Sequence, residues 1–165
     1  MTSSTPFAAA TLAGALILAP PVASARDYDA GTLHIGDPWI RATPNAAPTA
    51  AGYLTVTNHG KTADRLLGGA SPLARAIEPH TMSMTGGVMR MRLAEGGSEI
   101  APGATLALAP GGDHLMLIGP KRPFKPGERV PATLRFARAG AVKVEFVVRT
   151  GPRPGEMSMP GIGAH

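Results

Sequence analysis

The sequence predicts an all-β domain, a sandwich or barrel of about nine short strands. Three observations carry this expectation. Runs of about four to eight residues with strand character recur along the chain, separated by Gly, Pro, Asn and Asp. No segment sustains a 3.6-residue apolar period with capping residues at its ends, which argues against long helices. The chain has 165 residues, enough for one domain with a substantial core.

The elements follow in order. Phe7 to Leu18 is small or apolar and uncharged, and Ala23-Ser24-Ala25 before Arg26 has the Ala-x-Ala form of a signal-peptidase site. Residues 1–25 are therefore expected to be a signal peptide, cleaved after Ala25, that sends the chain to the periplasm. The apolar run is too short to span a bilayer, and no Lys or Arg precedes it. A domain over 26–150 follows. Its expected strands are Leu33 to Ile40, Gly52 to Asn58 (ending in the turn Asn58-His59-Gly60), Arg65 to Gly68 and Ala74 to His80. Val88 to Leu93, Thr105 to Leu108 and His114 to Ile118 come next, the last two separated by Pro110-Gly111-Gly112. Arg129 to Phe136 and Val142 to Val148 close the domain around a turn at Ala139-Gly140. The tail, 151–165, is rich in Gly and Pro and is expected to be flexible, yet it carries Met157, Met159 and His165.

Composition narrows the function. The net charge is +5 and the pI about 10.2, but only Lys121 and Arg122 are adjacent among the basic residues, and Trp39 is the single Trp. A basic stripe interleaved with aromatics is missing, so nucleic acid is not an expected partner. No stretch of the mature chain is apolar enough for membrane insertion. With no Cys, there is no disulfide, and the thiolate of a blue-copper electron-transfer site is excluded. The sequence holds no nucleophile elbow, paired-carboxylate arrangement or His/carboxylate triad, so an enzyme is not expected.

Met and His are instead gathered in two stretches. Five of the seven Met after Met1 lie between Met82 and Met116, close to His80 and His114. Any one Met on a strand is ordinarily a core gap-filler; the clustering is what suggests a metal. His114 and Met116 are two apart and share a strand face, as do Met82 with Met84 and Met89 with Met91. A hairpin near Gly86-Gly87 would bring Met91 back towards His80. Two imidazoles and two thioethers, all neutral donors, suit Cu(I) better than Zn, Ca or Mg. Imidazole must be neutral to bind whereas a thioether needs no deprotonation, so binding should weaken in acid. Asp113 is a candidate acceptor that would orient an imidazole, although an Asp in such a place is more often a turn residue. His34 and His59 are expected to be structural or solvent-facing.

The pattern His80-x10-Met91-x22-His114-x-Met116 closely resembles the mark of the periplasmic copper chaperones of the PCuAC family. The likeness extends from about Trp39 to Val148, through Trp39-Ile40-Arg41-Ala42-Thr43-Pro44, Gly52-Tyr53-Leu54 with Asn58, Asp64-Arg65-Leu66, Gly86-Gly87-Val88-Met89, Pro110-Gly111-Gly112 and His114-Leu115-Met116-Leu117. The resemblance implies a cupredoxin-like Greek-key β-sandwich, with Cu(I) held by His80, Met91, His114 and Met116. It also implies delivery of copper to the dicopper centre of cytochrome c oxidase, with an oxidase subunit or a Sco-like copper protein as partner. A monomer is expected. Periplasmic copper storage or resistance is the alternative function with the same ligands. Met157, Met159 and His165 resemble in miniature the extensions that bind a second copper ion, as Cu(II), in some members.

Overall fold

The computed structural model describes residues 26–45 and 47–153. The expected signal peptide, and the tail residues Met157, Met159 and His165 on which a Cu(II) site would rest, lie outside the described residues.

Eleven strands form one hydrogen-bonded sheet, and no helix occurs among the described residues. They are β1 (Tyr28–Ala30), β2 (Leu33–Arg41), β3 (Thr49–Asn58), β4 (Asp64–Ser71), β5 (Ala74–Thr85), β6 (Val88–Leu93), β7 (Ser98–Ile100), β8 (Thr105–Leu108), β9 (His114–Ile118), β10 (Arg129–Phe136) and β11 (Gly140–Arg149). Nine correspond to the strands expected from sequence. The other two, β1 and β7, are three residues each, too short for alternation to reveal them. Following the pairings from β2 through β11, β10, β4, β5, β9 and β3 returns to β2, so these strands close into a barrel. All its pairings are antiparallel except β11 with β2.

The core fills the ring. Ile35, Ile40, Val56, Leu66, Leu115, Leu117, Val130, Leu134 and Phe146 are wholly buried there, joined by Phe124 from the loop before β10. Alternate residues of β9 divide accordingly: Leu115 and Leu117 face the core, while His114 and Met116 face outwards and are half-buried. Asn58 pins the turn after β3. Its Nδ2 donates to Thr62 O at 2.8 Å and Ile100 O at 3.1 Å, and its Oδ1 accepts from the Gly60 N–H at 2.9 Å.

Two local irregularities set which residues face outwards near the candidate site. The first is a bulge in β2. Gly36 pairs with Thr55, and the next pair is Trp39 with Tyr53, so β2 spends one residue more than β3 over this interval. Asp37 supplies the kink with φ 45°, and its carboxylate receives both guanidinium nitrogens of Arg149, at 2.8 and 2.5 Å. The extra residue reverses the phase of the strand: Ile35 points into the core before the bulge and Ile40 after it. Trp39 is thereby turned outwards against Tyr53, with ring centroids 4.4 Å apart.

The second irregularity is Pro79, inside a strand paired on both edges. A proline has no N–H to give a ladder. It sits where β5 exchanges one neighbour for another: β4 pairs with β5 up to Ile77, and β6 begins at His80. The Pro79 carbonyl still accepts from Ala94 N–H at 2.9 Å. This exchange carries β5 on past His80, where the sequence suggested it ends, to Thr85.

Gly68 makes the approach of β4 to β5 possible. It has φ 122°, and a Cβ there would lie 2.5 Å from the Ile77 carbonyl oxygen. Gly68→Ala is expected to cost about 2 kcal/mol or more of stability, combining an unfavourable backbone conformation with a backbone clash. Denaturant unfolding of the variant against the parent chain checks this, and an unchanged midpoint would contradict it.

Candidate metal centre

The site is assembled on the outer face of β5, β6 and β9. On β5 the outward residues are Glu78, His80, Met82 and Met84. Register places His114 opposite His80 and Met116 opposite Glu78 across the β5–β9 edge. On the other edge Leu93 lies opposite His80, Met91 opposite Met82 and Met89 opposite Met84. The turn of that hairpin is Gly86-Gly87, both with positive φ, as the sequence suggested.

His80 and His114 are therefore direct cross-strand neighbours, with ring centroids 6.0 Å apart and planes tilted by 27°. Met116 and Met91 stand on the diagonals from His80, one on each flanking strand. Cross-strand diagonals lie about 7–8 Å apart at the backbone, within reach of long side chains. The structure thus brings all four sequence-derived candidates onto one face around His80. Met91 and His114 are separated by the full width of β5, so their convergence depends on the three flexible bonds of the Met side chain.

Hydrogen bonding prepares both imidazoles. Nδ1 of His114 lies 3.0 Å from the Gly112 carbonyl oxygen, which can only accept. Nδ1 then carries the proton, and the lone pair is left on Nε2. Nε2 of His80 is 3.4 Å from a Glu78 carboxylate oxygen, while its Nδ1 is buried without any hydrogen-bond partner. An orphaned ring nitrogen in a side chain only 15% exposed is costly unless something fills its lone pair. A metal ion is a chemically suitable partner.

Asp113 behaves differently from the sequence expectation. Its Oδ1 accepts the backbone N–H of Met82 at 2.9 Å and does not bind an imidazole. The last register pair between β5 and β9 is His80 with His114, so the Asp113 side chain continues that edge one step towards the hairpin. It fixes where the Met-bearing hairpin leaves the barrel. The imidazole-orienting acceptor is the Gly112 carbonyl, a backbone group that residue types cannot reveal.

Three further residues border the site. Glu78 is two residues before His80, and that spacing alone put it on the same strand face. Tyr53 lies beside His114, with ring centroids 6.5 Å apart. Burial pushes the Tyr53 phenol above its ordinary pKa, with the Arg41 charge partly opposing, so the phenol stays neutral. Trp39 packs on Tyr53, and the Arg149 guanidinium lies 5.8 Å from the Trp39 ring centroid. Arg149, Trp39, Tyr53, His114 and His80 thus form a continuous row across the outer face. His34 and His59 lie elsewhere: His34 Nδ1 is 2.8 Å from Asp29 Oδ1, and the two imidazoles are 6.5 Å apart.

Among the described residues no group of three or more His, Cys, Asp or Glu is placed to hold a metal. The donor set on this face is mixed imidazole and thioether, which is soft and without charge when bound. It suits a soft monovalent ion.

The chain is similar to known proteins in sequence and in fold. Residues 33–148 match the LpqE-like family, described as "Putative lipoprotein LpqE-like". The "Putative lipoprotein Lxx21020" of Leifsonia xyli subsp. xyli is 30% identical over 138 residues, covering 84% of this chain and 82% of that protein. The copper-bound PCuAC domain from PmoF2 matches with a TM-score of 0.66 at 27% identity, over 77% of this chain and 99% of the other. The apo PCuAC domain from PmoF1 gives 0.63 at 26% identity, over 77% and 100%. CuI-DR1885 from Deinococcus radiodurans gives 0.56 at 32% identity, over 70% of this chain and 76% of that one. The chain belongs to the LpqE-like family, and its all-β barrel is of the PCuAC type.

Proposed function

We propose that this protein is a copper carrier that binds one Cu(I) through His80, Met91, His114 and Met116 and passes it on. The observation that carries the reading is the pairing of His80 with His114. One imidazole is held with Nε2 available, the other has an unpartnered buried Nδ1, and Met91 and Met116 flank them on the same face. The copper-bound state of two structurally similar PCuAC domains supports the choice of metal.

The chemistry follows from the donors. Two imidazoles and two thioethers leave a bound Cu(I) with its single positive charge, on the outer face of the sheet beside the neutral Tyr53 phenol. Thioethers are weakly basic, exchangeable ligands, which suits a protein that must release its ion to a stronger site. A Cys-containing acceptor would supply such a site. The resemblance to PCuAC chaperones supports taking the acceptor as a Sco-like protein or a subunit of cytochrome c oxidase, with the dicopper centre as destination. The same resemblance supports a cupredoxin-like Greek key as the description of the barrel. It also supports action in the periplasm, and the Ala23-Ser24-Ala25 pattern supports cleavage after Ala25. The relatives' description as lipoproteins points to export as well. These 165 residues contain no Cys, so they offer no thiol for a thioether-linked lipid.

Titration of the metal-free protein with Cu(I) against a chromogenic competitor is expected to reveal one tight equivalent. Met91→Ala and His114→Ala should each weaken it by at least tenfold, about 1.4 kcal/mol. Tight binding that neither substitution changes would return these residues to a structural role.

Asp113→Ala tests the support of the site. Removing the acceptor for Met82 N–H frees the hairpin at its root without touching a proposed ligand. The expected result is about tenfold weaker Cu(I) binding, in line with outer-sphere effects elsewhere, with little change in thermal unfolding. Undiminished affinity would show that the hairpin is positioned by β5–β6 pairing alone.

A further inference from the structure

The β5–β6 hairpin presents more sulfur than the proposed centre uses. Met82 pairs with Met91 and Met84 with Met89, so four thioethers stand in two consecutive rungs on one face. Ser83–Arg90 lies between the rungs and points to the other face, as does Thr81–Arg92. The outer rung, Met84 and Met89, adjoins the Gly86-Gly87 turn; the inner rung adjoins His80.

These methionines are not core residues. All six residues of β6 are exposed, and β6 pairs with β5 alone. Met84 is 70% exposed and Met89 51%. Five of the six exposed large hydrophobic side chains among the described residues are on this hairpin. Gap-filling, the ordinary reason for Met in a strand, does not apply where no core lies beneath. Directly opposed side chains have Cβ atoms about 4.5–5.5 Å apart, a spacing from which two thioethers can close on one ion. The donors are neutral, and the carboxylates of Glu78, beside His80, and Asp113, on the Met82 N–H, lie at the barrel end of the hairpin, so the outer rung favours a soft monovalent cation over a divalent one.

We propose that Met84 and Met89 form a second, weaker thioether site for a soft monovalent cation, from which the ion moves along the rung of Met82 and Met91 to the His80–His114 centre. The path is continuous: each rung is two residues from the next on both strands. The outer rung is the loading position and, in reverse, the release position. This inference rests on the Cu(I) reading of the inner centre for the destination of the ion, but not for the outer rung itself.

The test uses the full chain, Ag(I) as a redox-inert probe with the softness and charge of Cu(I), and NMR of 13C-labelled Met ε-methyl groups. The parent protein is expected to take a first equivalent that shifts the Met91 and Met116 methyls, and a second, at least tenfold weaker, that shifts Met84 and Met89. Met84→Leu/Met89→Leu keeps the size and apolarity of exposed positions while removing both sulfurs. It should retain the first equivalent, lose the second, and load the inner centre at least threefold more slowly in stopped-flow mixing. Leucine at both positions would preserve a merely apolar docking surface, so loss of the second equivalent speaks for sulfur chemistry. A parent protein that takes one equivalent with no response from Met84 and Met89 overturns the proposal and leaves the inner centre standing. A response from Met84 and Met89 without a tight first equivalent would keep the outer site and overturn the inner one. An unchanged second equivalent in the Leu variant would also overturn the assignment.

Discussion

The pairing of β5 with β9, in the register that sets His80 opposite His114, is the constraint on which the rest of the site depends. Register in a sheet is quantised: a slip by one residue would turn His80 inwards and send Ile77 and Pro79 out. Buried Ile77 on β5 and Leu115 and Leu117 on β9 hold the register from the core side. The outer face inherits its geometry from that packing. The imidazoles meet because the apolar residues beside them on each strand are buried, and not because the imidazoles attract one another.

The same strand serves a second purpose by changing partners. Up to Ile77 it is a barrel strand between β4 and β9; from His80 its other neighbour is β6, and beyond that residue β9 ends. Proline at the exchange point loses nothing, because no ladder there needs its N–H. The barrel thus extends an arm whose sulfur-bearing face is continuous with the imidazole pair. Asp113 ties the base of the arm to the start of β9. A rigid barrel holds the two nitrogens, while flexible Met side chains supply the sulfurs. This division suits an ion that must be gripped and then surrendered.

The aromatic row that runs from Trp39 through Tyr53 to His114 closes the other flank. It exists because a one-residue bulge at Asp37, fastened by Arg149, reverses the phase of β2. Without that bulge Trp39 would compete for space in the barrel interior. Its outward placement covers Tyr53, and Tyr53 in turn shields His114 from solvent on the side away from the hairpin. Displaced water strengthens ligation of a soft ion by removing a competing donor.

Much of this was legible in the amino-acid sequence. Alternation and turn residues marked nine strands, since period-two burial and glycine at positive φ leave local signatures. The spacing of His80, Met91, His114 and Met116 marked a soft-donor set, because residue type fixes donor chemistry. Same-face pairs such as His114 with Met116 followed from the strand period alone. Other features required the tertiary structure. Closure of the ring, the register of β5 against β9 and the exchange of neighbours at Pro79 are long-range pairings, encoded by no local window. Whether Met84 and Met89 fill a core or stand in solvent is invisible to periodicity, which reports a shared face but not what covers it. The roles of the Gly112 carbonyl and of Asp113 likewise depend on where backbone groups lie in space. The sequence determined which atoms are available to a metal; the fold decided which of them meet, because only packing fixes register.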